Sequence, residues 1–242
     1  MHAMMKNPST LDRAQWQENQ RAEAAYWSEW LRQAMTGANK EFADDYRWRT
    51  GPVCDVREKD MFVPFLRPVC PPGSKVRILD VGAGPLTWFP RKWFTRDFQV
   101  TAVDPLADEF DKMFATMGTF PQVHTIKGEA EKLLEQFEPE SFDMVFCRNA
   151  LEQFYDPVEA MRQMLAVVKQ KCAVVIIQEG YRSDEEKSRG PWTIDEDNAD
   201  VFMDTPEGKL DLGLIFADVA TLRTYKSWHW PWVLAGFRKE PI

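Results

Sequence analysis

The chain has 242 residues, of which 44% are hydrophobic, and it carries a formal net charge of −8. A chain of this length and composition predicts a packed core, with one substantial α/β domain and an appendage. The acidic balance, without a basic tract, excludes nucleic acid and an anionic membrane as expected partners, because both are bound through clustered lysine and arginine.

No segment of the sequence predicts export, membrane insertion or metal binding. The first thirty residues lack the apolar run of a signal peptide, and no run approaches the roughly 20 apolar residues of a membrane span. The cysteines lack CxxC spacing, which argues against a zinc site or a disulfide framework. We therefore expect a cytoplasmic protein with reduced thiols and no metal site. The cysteines are Cys54, Cys70, Cys147 and Cys172.

The N-terminal part of the chain predicts a helical extension. Residues 10–36 have helical periodicity, with Trp27, Trp30 and Leu31 at i, i+3 and i+4 and with Gly37 as the end of the helix. Residues 37–74 carry charge and proline without a clear period. We expect a helical extension or lid over residues 1–70 and a second domain over residues 71–242.

From Lys75 onwards, strand-like and helix-like segments alternate, which predicts βαβ units and a mainly parallel sheet. The last two strand-like runs are joined by a short turn, so they must pair antiparallel, and we expect the last strand to insert antiparallel into the sheet. Residues 180–215 are polar and without a clear period. The predicted strands are 76–81, 98–103, 123–126, 142–147, 173–177, 219–228 and 232–238, and the predicted helices are 86–95, 107–117, 130–137 and 156–169.

The segment VRILDVGAGPLT, residues 76–87, places two glycines where the first strand ends. In an open α/β sheet, ligands bind outside the carboxyl ends of the strands, and Gly82 and Gly84 permit a sharp turn and a close ligand approach. A dinucleotide-binding fingerprint would require a third glycine at position 87, which is Thr87. A diphosphate would also be repelled by Asp80, whereas a cationic ligand without phosphate would not.

LDVGAGP resembles the first motif of class I S-adenosylmethionine-dependent methyltransferases, and the later motifs of that family follow in order. Asp104, twenty residues after Gly84, corresponds to the family's ribose-binding acid. KGEAEKL at 127–133 resembles the third motif, and SFDMVFCRNALEQF at 141–154 resembles the fourth. The chain departs from the family at Leu86, where a third glycine is frequent, and at residues 169–172, which replace the family's Pro-Gly-Gly.

The resemblance implies a Rossmann-like three-layer α/β sandwich with a mainly parallel seven-stranded sheet, an antiparallel last strand and an N-terminal helical extension. It implies S-adenosylmethionine as the cofactor and methyl transfer to a small molecule. Within the family the chain is most similar to type 11 small-molecule methyltransferases of bacteria, some of which act in sugar or natural-product pathways. The implied cofactor-binding residues are Asp80, Gly82, Ala83, Gly84, Arg148 and Asn149 at the methionine end, Asp104 and Pro105 at the ribose, and Glu129 and Ala130 at the adenine.

Catalytic and acceptor-binding residues are less clearly marked. Many relatives have Leu-Glu-His after the fourth strand, whereas this chain has Leu151-Glu152-Gln153, which leaves Glu152 as the nearest candidate base. A helix-start carboxylate is the alternative interpretation of Glu152. Aromatic residues of the helical extension are candidates for a lid that favours the sulfonium through cation–π attraction, with core packing as the alternative. The acceptor-site candidates are Tyr26, Trp30, Arg49, Gln153, Tyr181, Arg182, Trp192 and His229.

Two other functions stay open at this point. An NAD(P)-dependent oxidoreductase would share the strand–turn–helix pattern, although Asp80, Thr87 and the terminal hairpin oppose it. A catalytically silent cofactor-binding scaffold of the same fold is favoured by Gln153, which stands where relatives have histidine. The sequence does not determine the acceptor, the atom that is methylated or the oligomeric state.

Overall fold

The computed structural model describes residues 10–50, 65, 71, 73–89, 92–93, 96–178, 193–197, 200–205, 208–225 and 232–239. Within residues 10–50, the chain forms the helices α1 (Arg13–Thr36) and α2 (Lys40–Thr50). The side chain of Asp12 caps α1 by accepting a hydrogen bond from the Ala14 N–H, and Gly37 ends the helix with a φ of 72°. No helix in these ranges is long and apolar enough to span a membrane.

Helix α2 lies in a segment that we predicted to be irregular, and that prediction was wrong. Its charged residues are spaced to form ion pairs along the helix surface, Lys40 with Asp44 at 3.2 Å and Asp45 with Arg49 at 2.9 Å. Such i, i+4 pairs each stabilise a helix by a few tenths of a kcal/mol. Phe42 and Tyr46, four residues apart, also pack against the cluster of Trp30 and Leu31, so ion pairs and apolar contacts together stabilise the helix.

The strands described, in chain order, are β1 (Lys75–Val81), β2 (Lys92–Trp93), β3 (Arg96–Asp104), β4 (Thr125–Lys127), β5 (Phe142–Arg148), β6 (Val168–Gln178), β7 (Thr193–Asp197), β8 (Asp200–Thr205), β9 (Gly208–Asp211), β10 (Ala220–Tyr225) and β11 (Trp232–Arg238). The main sheet has the order β10-β11-β6-β5-β1-β3, and both β4 and β2 pair with β3. Strands β1, β3, β4, β5 and β6 pair in parallel, whereas β11 runs antiparallel between β6 and β10. This confirms the predicted α/β class and the antiparallel last strand, and the short β2 is an addition.

Strands β7, β8 and β9 form a separate antiparallel sheet within the segment that appeared irregular in the sequence. The side chains of Val201 and Met203 in β8 are buried in the same core cluster as Met161 and Leu165. This small sheet therefore extends the core of the main domain.

The other helical elements are α3 (Ala107–Met117), α4 (Pro157–Val167), the short α5 (Leu212–Ile215) and two 3₁₀ helices, Ala130–Glu135 and Leu151–Gln153. The predicted helix 107–117 is confirmed, and 156–169 is confirmed except that β6 already begins at Val168. The predicted helix 86–95 was wrong, because residues 86–89 are turn and bend and β2 follows them. The Thr87 hydroxyl and the Trp88 N–H both donate to Asp80, which holds this segment against the end of β1.

Alternating residues of β1 enter different parts of the core, as the two-residue period of a strand requires. Leu79 and Val81 pack in one cluster with α4, and Ile78 packs in a second cluster with Phe89 and Phe146. A third cluster joins the helical extension to the domain. It contains Trp30, Leu31, Ala34, Leu86, Phe110 and Phe114. The helical extension is thus fixed over the carboxyl edge of the sheet by apolar contacts.

Candidate cofactor cavity

A cavity of about 510 Å³ lies at the carboxyl ends of β1, β3 and β5, with α1 and α2 forming its other wall. Every candidate site residue that the structure describes lines this cavity. The candidates Tyr181, Arg182, Trp192 and His229 lie outside the described residues. The candidates in the lining are Tyr26, Trp30, Arg49, Asp80, Gly82, Ala83, Gly84, Asp104, Pro105, Glu129, Ala130, Arg148, Asn149, Glu152 and Gln153.

Asp80 at the end of β1 is a buried carboxylate, 2% exposed. Its Oδ2 accepts hydrogen bonds from the Thr87 hydroxyl at 2.6 Å and the Trp88 N–H at 3.2 Å. Burial raises the pKa of Asp80 to about 6, although these hydrogen bonds and the charges of Arg49 and Arg148 act in the opposite direction. Thr87, which interrupts the dinucleotide pattern, therefore serves as a partner of this carboxylate.

The two glycines after β1 both have positive φ, 67° at Gly82 and 64° at Gly84. A Cβ on Gly82 would lie 2.3 Å from the Cβ of Ala150, and a Cβ on Gly84 would lie 3.0 Å from the Trp27 ring. From the sequence, these glycines were explained by a sharp turn and by the close approach of a ligand. The structure adds a second reason, since these glycines let the loop pack against the end of β5 and against α1.

Asp104, the last residue of β3, links the end of β3 to the loop that follows β1. Its Oδ2 accepts a hydrogen bond from the Gly84 N–H at 3.0 Å, and its Oδ1 accepts one from the Leu106 N–H at 2.9 Å. The side chain is 8% exposed, and burial raises its pKa to about 6 against the effect of these two hydrogen bonds. A carboxylate has about four lone-pair sites, so both oxygens can still accept hydrogen bonds from a diol.

Glu129 is held by cations from two directions. The guanidinium of Arg13 in α1 donates to both carboxylate oxygens at 2.9 and 3.2 Å, and Lys132 lies 3.1 Å away. The same guanidinium lies 4.4 Å from the centre of the Trp16 ring and 4.2 Å from that of Tyr155. Burial alone would raise the pKa of Glu129, but the hydrogen bonds of Arg13 and Lys132 outweigh it and lower the pKa.

Glu131 is a buried lining residue that the sequence analysis missed. Its Oε1 accepts hydrogen bonds from the N–H groups of Tyr155 and Asp156, at 2.8 and 3.1 Å, and burial raises its pKa to about 7. The carbonyl of Tyr155 in turn accepts a hydrogen bond from the Leu11 N–H. Glu131 therefore supports the turn on which the N-terminus of α1 rests. The third motif covers residues 127–133, but the roles that it implied ended at Ala130, and nothing local marks Glu131 as buried.

Both arginines of the described lining lie towards the Asp80 end. Arg148 is the last residue of β5, and its guanidinium stacks 3.9 Å above the centre of the Trp88 ring. The side chain of Arg49 is 7% exposed, forms the ion pair with Asp45 and donates to the Leu86 carbonyl at 2.8 Å. Trp88 was missed as a site residue because residues 86–95 were predicted to form a helix.

Aromatic rings of α1 and α2 form a continuous series along the cavity wall. Ring centres are 5.3 Å apart between Tyr26 and Trp27, 5.5 Å between Trp27 and Trp30, and 5.8 Å between Trp30 and Phe42. Trp30 also belongs to the third core cluster, so it packs in the core and lines the cavity at the same time. Trp27 was not among the predicted site residues, because its helical spacing favoured core packing over ligand contact.

Comparison with known proteins agrees with this geometry. A family model described as a methyltransferase domain matches residues 79–176, from β1 to β6. Residues 79–176 thus form a methyltransferase domain. This match to a methyltransferase domain agrees with the predicted S-adenosylmethionine-dependent methyltransferase activity and with S-adenosylmethionine as the cofactor. It favours a cationic nucleoside over a dinucleotide as the ligand.

None of the curated proteins matches the chain. Among solved structures, a SAM-dependent methyltransferase from Aquifex aeolicus is 16% identical, covers 66% of this chain and 81% of its own, and gives a TM-score of 0.41. A protein from Pyrococcus horikoshii is 15% identical, with coverages of 68% and 82% and a TM-score of 0.42. A Methanococcus maripaludis protein assigned to the same enzyme class is 10% identical, with coverages of 100% and 99% and a TM-score of 0.47. No conclusion on the substrate follows from these similarities.

Proposed function

We propose that the protein transfers a methyl group to a small-molecule acceptor and holds S-adenosylmethionine along the cavity. In this arrangement Asp80 faces the ammonium of the methionine part, and Arg148 faces its carboxylate. Asp104 accepts hydrogen bonds from the ribose hydroxyls, and Glu129 faces the adenine amino group. The backbone contacts fall to Gly82, Ala83, Gly84, Pro105, Ala130 and Asn149.

The observation that carries the proposal is the pair of buried carboxylates, Asp80 and Asp104, joined by the glycine loop at the end of β1 and β3. A buried carboxylate is costly unless a cation or hydrogen-bond donors compensate it. Burial raises the pKa of both groups despite the two hydrogen bonds that each accepts, and a ligand with an ammonium and a ribose diol would supply further partners. The residues present therefore fit a cationic nucleoside, whereas a diphosphate would add negative charge beside Asp80.

The cofactor supplies a methyl group on a cationic sulfur, which is already activated for displacement. The task left to the protein is to align the acceptor with that methyl group and to exclude water. Such orientation can contribute about 7–11 kcal/mol to lowering the barrier, compared with about 10²–10⁴-fold in rate from a general base. The lid formed by α1 and α2 serves this task through Tyr26, Trp30 and Arg49. Glu152 is the candidate for accepting a proton from the acceptor, and Gln153 beside it is a candidate contact.

Isothermal titration calorimetry tests the cofactor assignment. We expect S-adenosylmethionine and S-adenosylhomocysteine to bind, NADH not to bind, and Asp104→Ala to weaken both nucleosides by tenfold or more. Asp218→Ala, at an exposed turn outside the cavity, is the charge-matched control. Unchanged affinity in Asp104→Ala would remove the ribose assignment, and heat from NADH alone would overturn the proposal.

A silent scaffold with the same fold would bind the cofactor but transfer no methyl group. Incubation with methyl-labelled cofactor and a broad acceptor panel separates the two cases, since a scaffold leaves the label on the cofactor throughout. We also propose a cytoplasmic location, which the free thiols of Cys147 and Cys172 support.

A further inference from the structure

We propose that Arg13 is a positioning residue of the cofactor site, which fixes the carboxylate of Glu129 so that its Oε1 accepts the adenine amino group. This inference rests on the proposed function and adds a residue to the site that it describes. Arg13 is the first residue of α1, whereas the methyltransferase family model matches residues 79–176. The resemblance to that family therefore assigned no role to Arg13.

The two oxygens of the Glu129 carboxylate have different numbers of partners. Oε2 lies 3.2 Å from Nη1 of Arg13, 3.1 Å from Nζ of Lys132 and 3.3 Å from the hydroxyl of Tyr155. Among the described residues, Oε1 accepts from a single donor, Nη2 of Arg13, at 2.9 Å. A carboxylate has about four lone-pair sites, so Oε1 has room for one further donor. Because Glu129 lines the cavity, a bound ligand can supply that donor.

The protonation states of these groups suit the recognition of an amino group. Burial alone would raise the pKa of Glu129, but the hydrogen bonds of Arg13 and Lys132 outweigh it and lower the pKa, so the side chain is an ionised acceptor at neutral pH. Burial is the largest cause of the raised pKa of Tyr155, whose hydroxyl therefore keeps its proton and donates. An ionised carboxylate accepts hydrogen bonds and donates none. It favours an amino group over a carbonyl oxygen at the same position of the base.

Arg13 is itself held in place by aromatic rings. Its guanidinium lies 4.4 Å from the centre of the Trp16 ring and 4.2 Å from that of Tyr155, and the two rings pack edge to face at 5.4 Å. Nε1 of Trp16 donates to the carbonyl of Gln153 at 2.9 Å. These contacts fix the guanidinium relative to the segment that carries Glu129.

A guanidinium fixed in this way also fixes the plane of the carboxylate. Two roughly parallel hydrogen bonds from Arg13 define the orientation of Glu129, which the single point charge of Lys132 does not. Groups that are oriented before the ligand arrives lose less freedom when it binds. Arg13 therefore strengthens adenine binding without touching the base.

The opposite role for Arg13 would be competition with the adenine amino group for Glu129. Competition would require the base to displace the guanidinium, with loss of both ring contacts and both hydrogen bonds. The remaining place on Oε1 makes this displacement unnecessary. We therefore expect the first turn of α1 to stay paired with Glu129 when the cofactor is bound.

The test uses the full chain and two ligands that differ at one position of the base. S-Inosylhomocysteine carries an oxygen where S-adenosylhomocysteine carries the amino group. In calorimetry, wild type should bind S-adenosylhomocysteine about tenfold or more tightly than the inosyl analogue, because the analogue leaves the carboxylate facing an oxygen. Arg13→Gln should weaken S-adenosylhomocysteine about tenfold and reduce this ratio to about threefold or less. A purely structural role would weaken both ligands equally and leave the ratio unchanged.

Two further variants locate the effect. Arg32→Gln removes another arginine of α1, which pairs with Glu29 outside the cavity, and should bind both ligands as wild type does. Glu129→Gln should weaken S-adenosylhomocysteine about tenfold, and adding Arg13→Gln to it should weaken binding by less than about twofold more, because Arg13 acts through Glu129.

Three results would overturn the inference: tighter binding of S-adenosylhomocysteine by Arg13→Gln, an unchanged ratio of the two ligands, or losses that multiply in the double variant. The first would show that Arg13 competes with the base, and the other two would show that it acts independently of Glu129. If wild type does not bind S-adenosylhomocysteine at all, the proposed function fails and this inference fails with it.

Discussion

Acidification should stabilise this protein in its ligand-free form, because two carboxylates are buried at the cofactor cavity. Burial raises the pKa of Asp80 and of Asp104 from 3.8 to about 6. Since the folded pKa is the higher one, the folded state binds these protons more tightly than the unfolded chain does. The contribution is present in full below the unfolded pKa and is lost as pH rises through the folded pKa. Between pH values of about 7.5 and 5, each group should add about 1.4 kcal/mol to the free energy of unfolding.

Asp104→Asn isolates one of these contributions, because the variant keeps the shape of the side chain and removes its titration. Urea unfolding followed by tryptophan fluorescence gives the free energy of unfolding at each pH. Wild type should gain about 1.4 kcal/mol more than Asp104→Asn over the range, or about 3–6 °C in Tm. Asp218→Asn, at an exposed position, should follow wild type. Equal pH dependence in wild type and Asp104→Asn would refute the argument, whatever the absolute stability of the variant.

Gly82→Ala should cost about 2–4 kcal/mol in urea unfolding, since it combines a positive φ with a Cβ only 2.3 Å from that of Ala150. Gly118→Ala, at a similar φ of 66° with open space around it, should cost only about 1–2 kcal/mol, and equal losses would contradict the packing explanation. Arg148→Ala should weaken S-adenosylhomocysteine by about ten- to hundredfold in calorimetry, because a charge-assisted hydrogen bond is worth about 1.5–3 kcal/mol. It should leave 5′-methylthioadenosine, which has no methionine carboxylate, unchanged, and a loss for both ligands would place Arg148 elsewhere.

From the sequence alone, the strands that form the cavity could be located along the chain, and the residues at their carboxyl ends could be named as candidates for the site. Asp80 and Asp104 lie at the ends of β1 and β3, Glu129 follows β4 by two residues, and the carboxyl ends of parallel strands meet at one edge of a sheet. These positions could therefore be placed together without knowledge of any contact. The need for glycine at positions 82 and 84 could also be predicted, because it depends on the backbone conformation of a few residues in the loop after β1.

Only the tertiary structure decided how the helical extension closes the site and how the charges are paired. Arg13 and Glu129 are 116 residues apart, and no periodic pattern links them, yet their ion pair ties α1 to the segment that follows β4. Asp80 and Thr87 are close in sequence, but their hydrogen bond forms in place of a helix that local propensity favoured. In both cases the partner of a charged side chain is set by packing in the folded chain, which sequence spacing does not record, and for the buried Asp80 a partner is required because an uncompensated buried charge is costly.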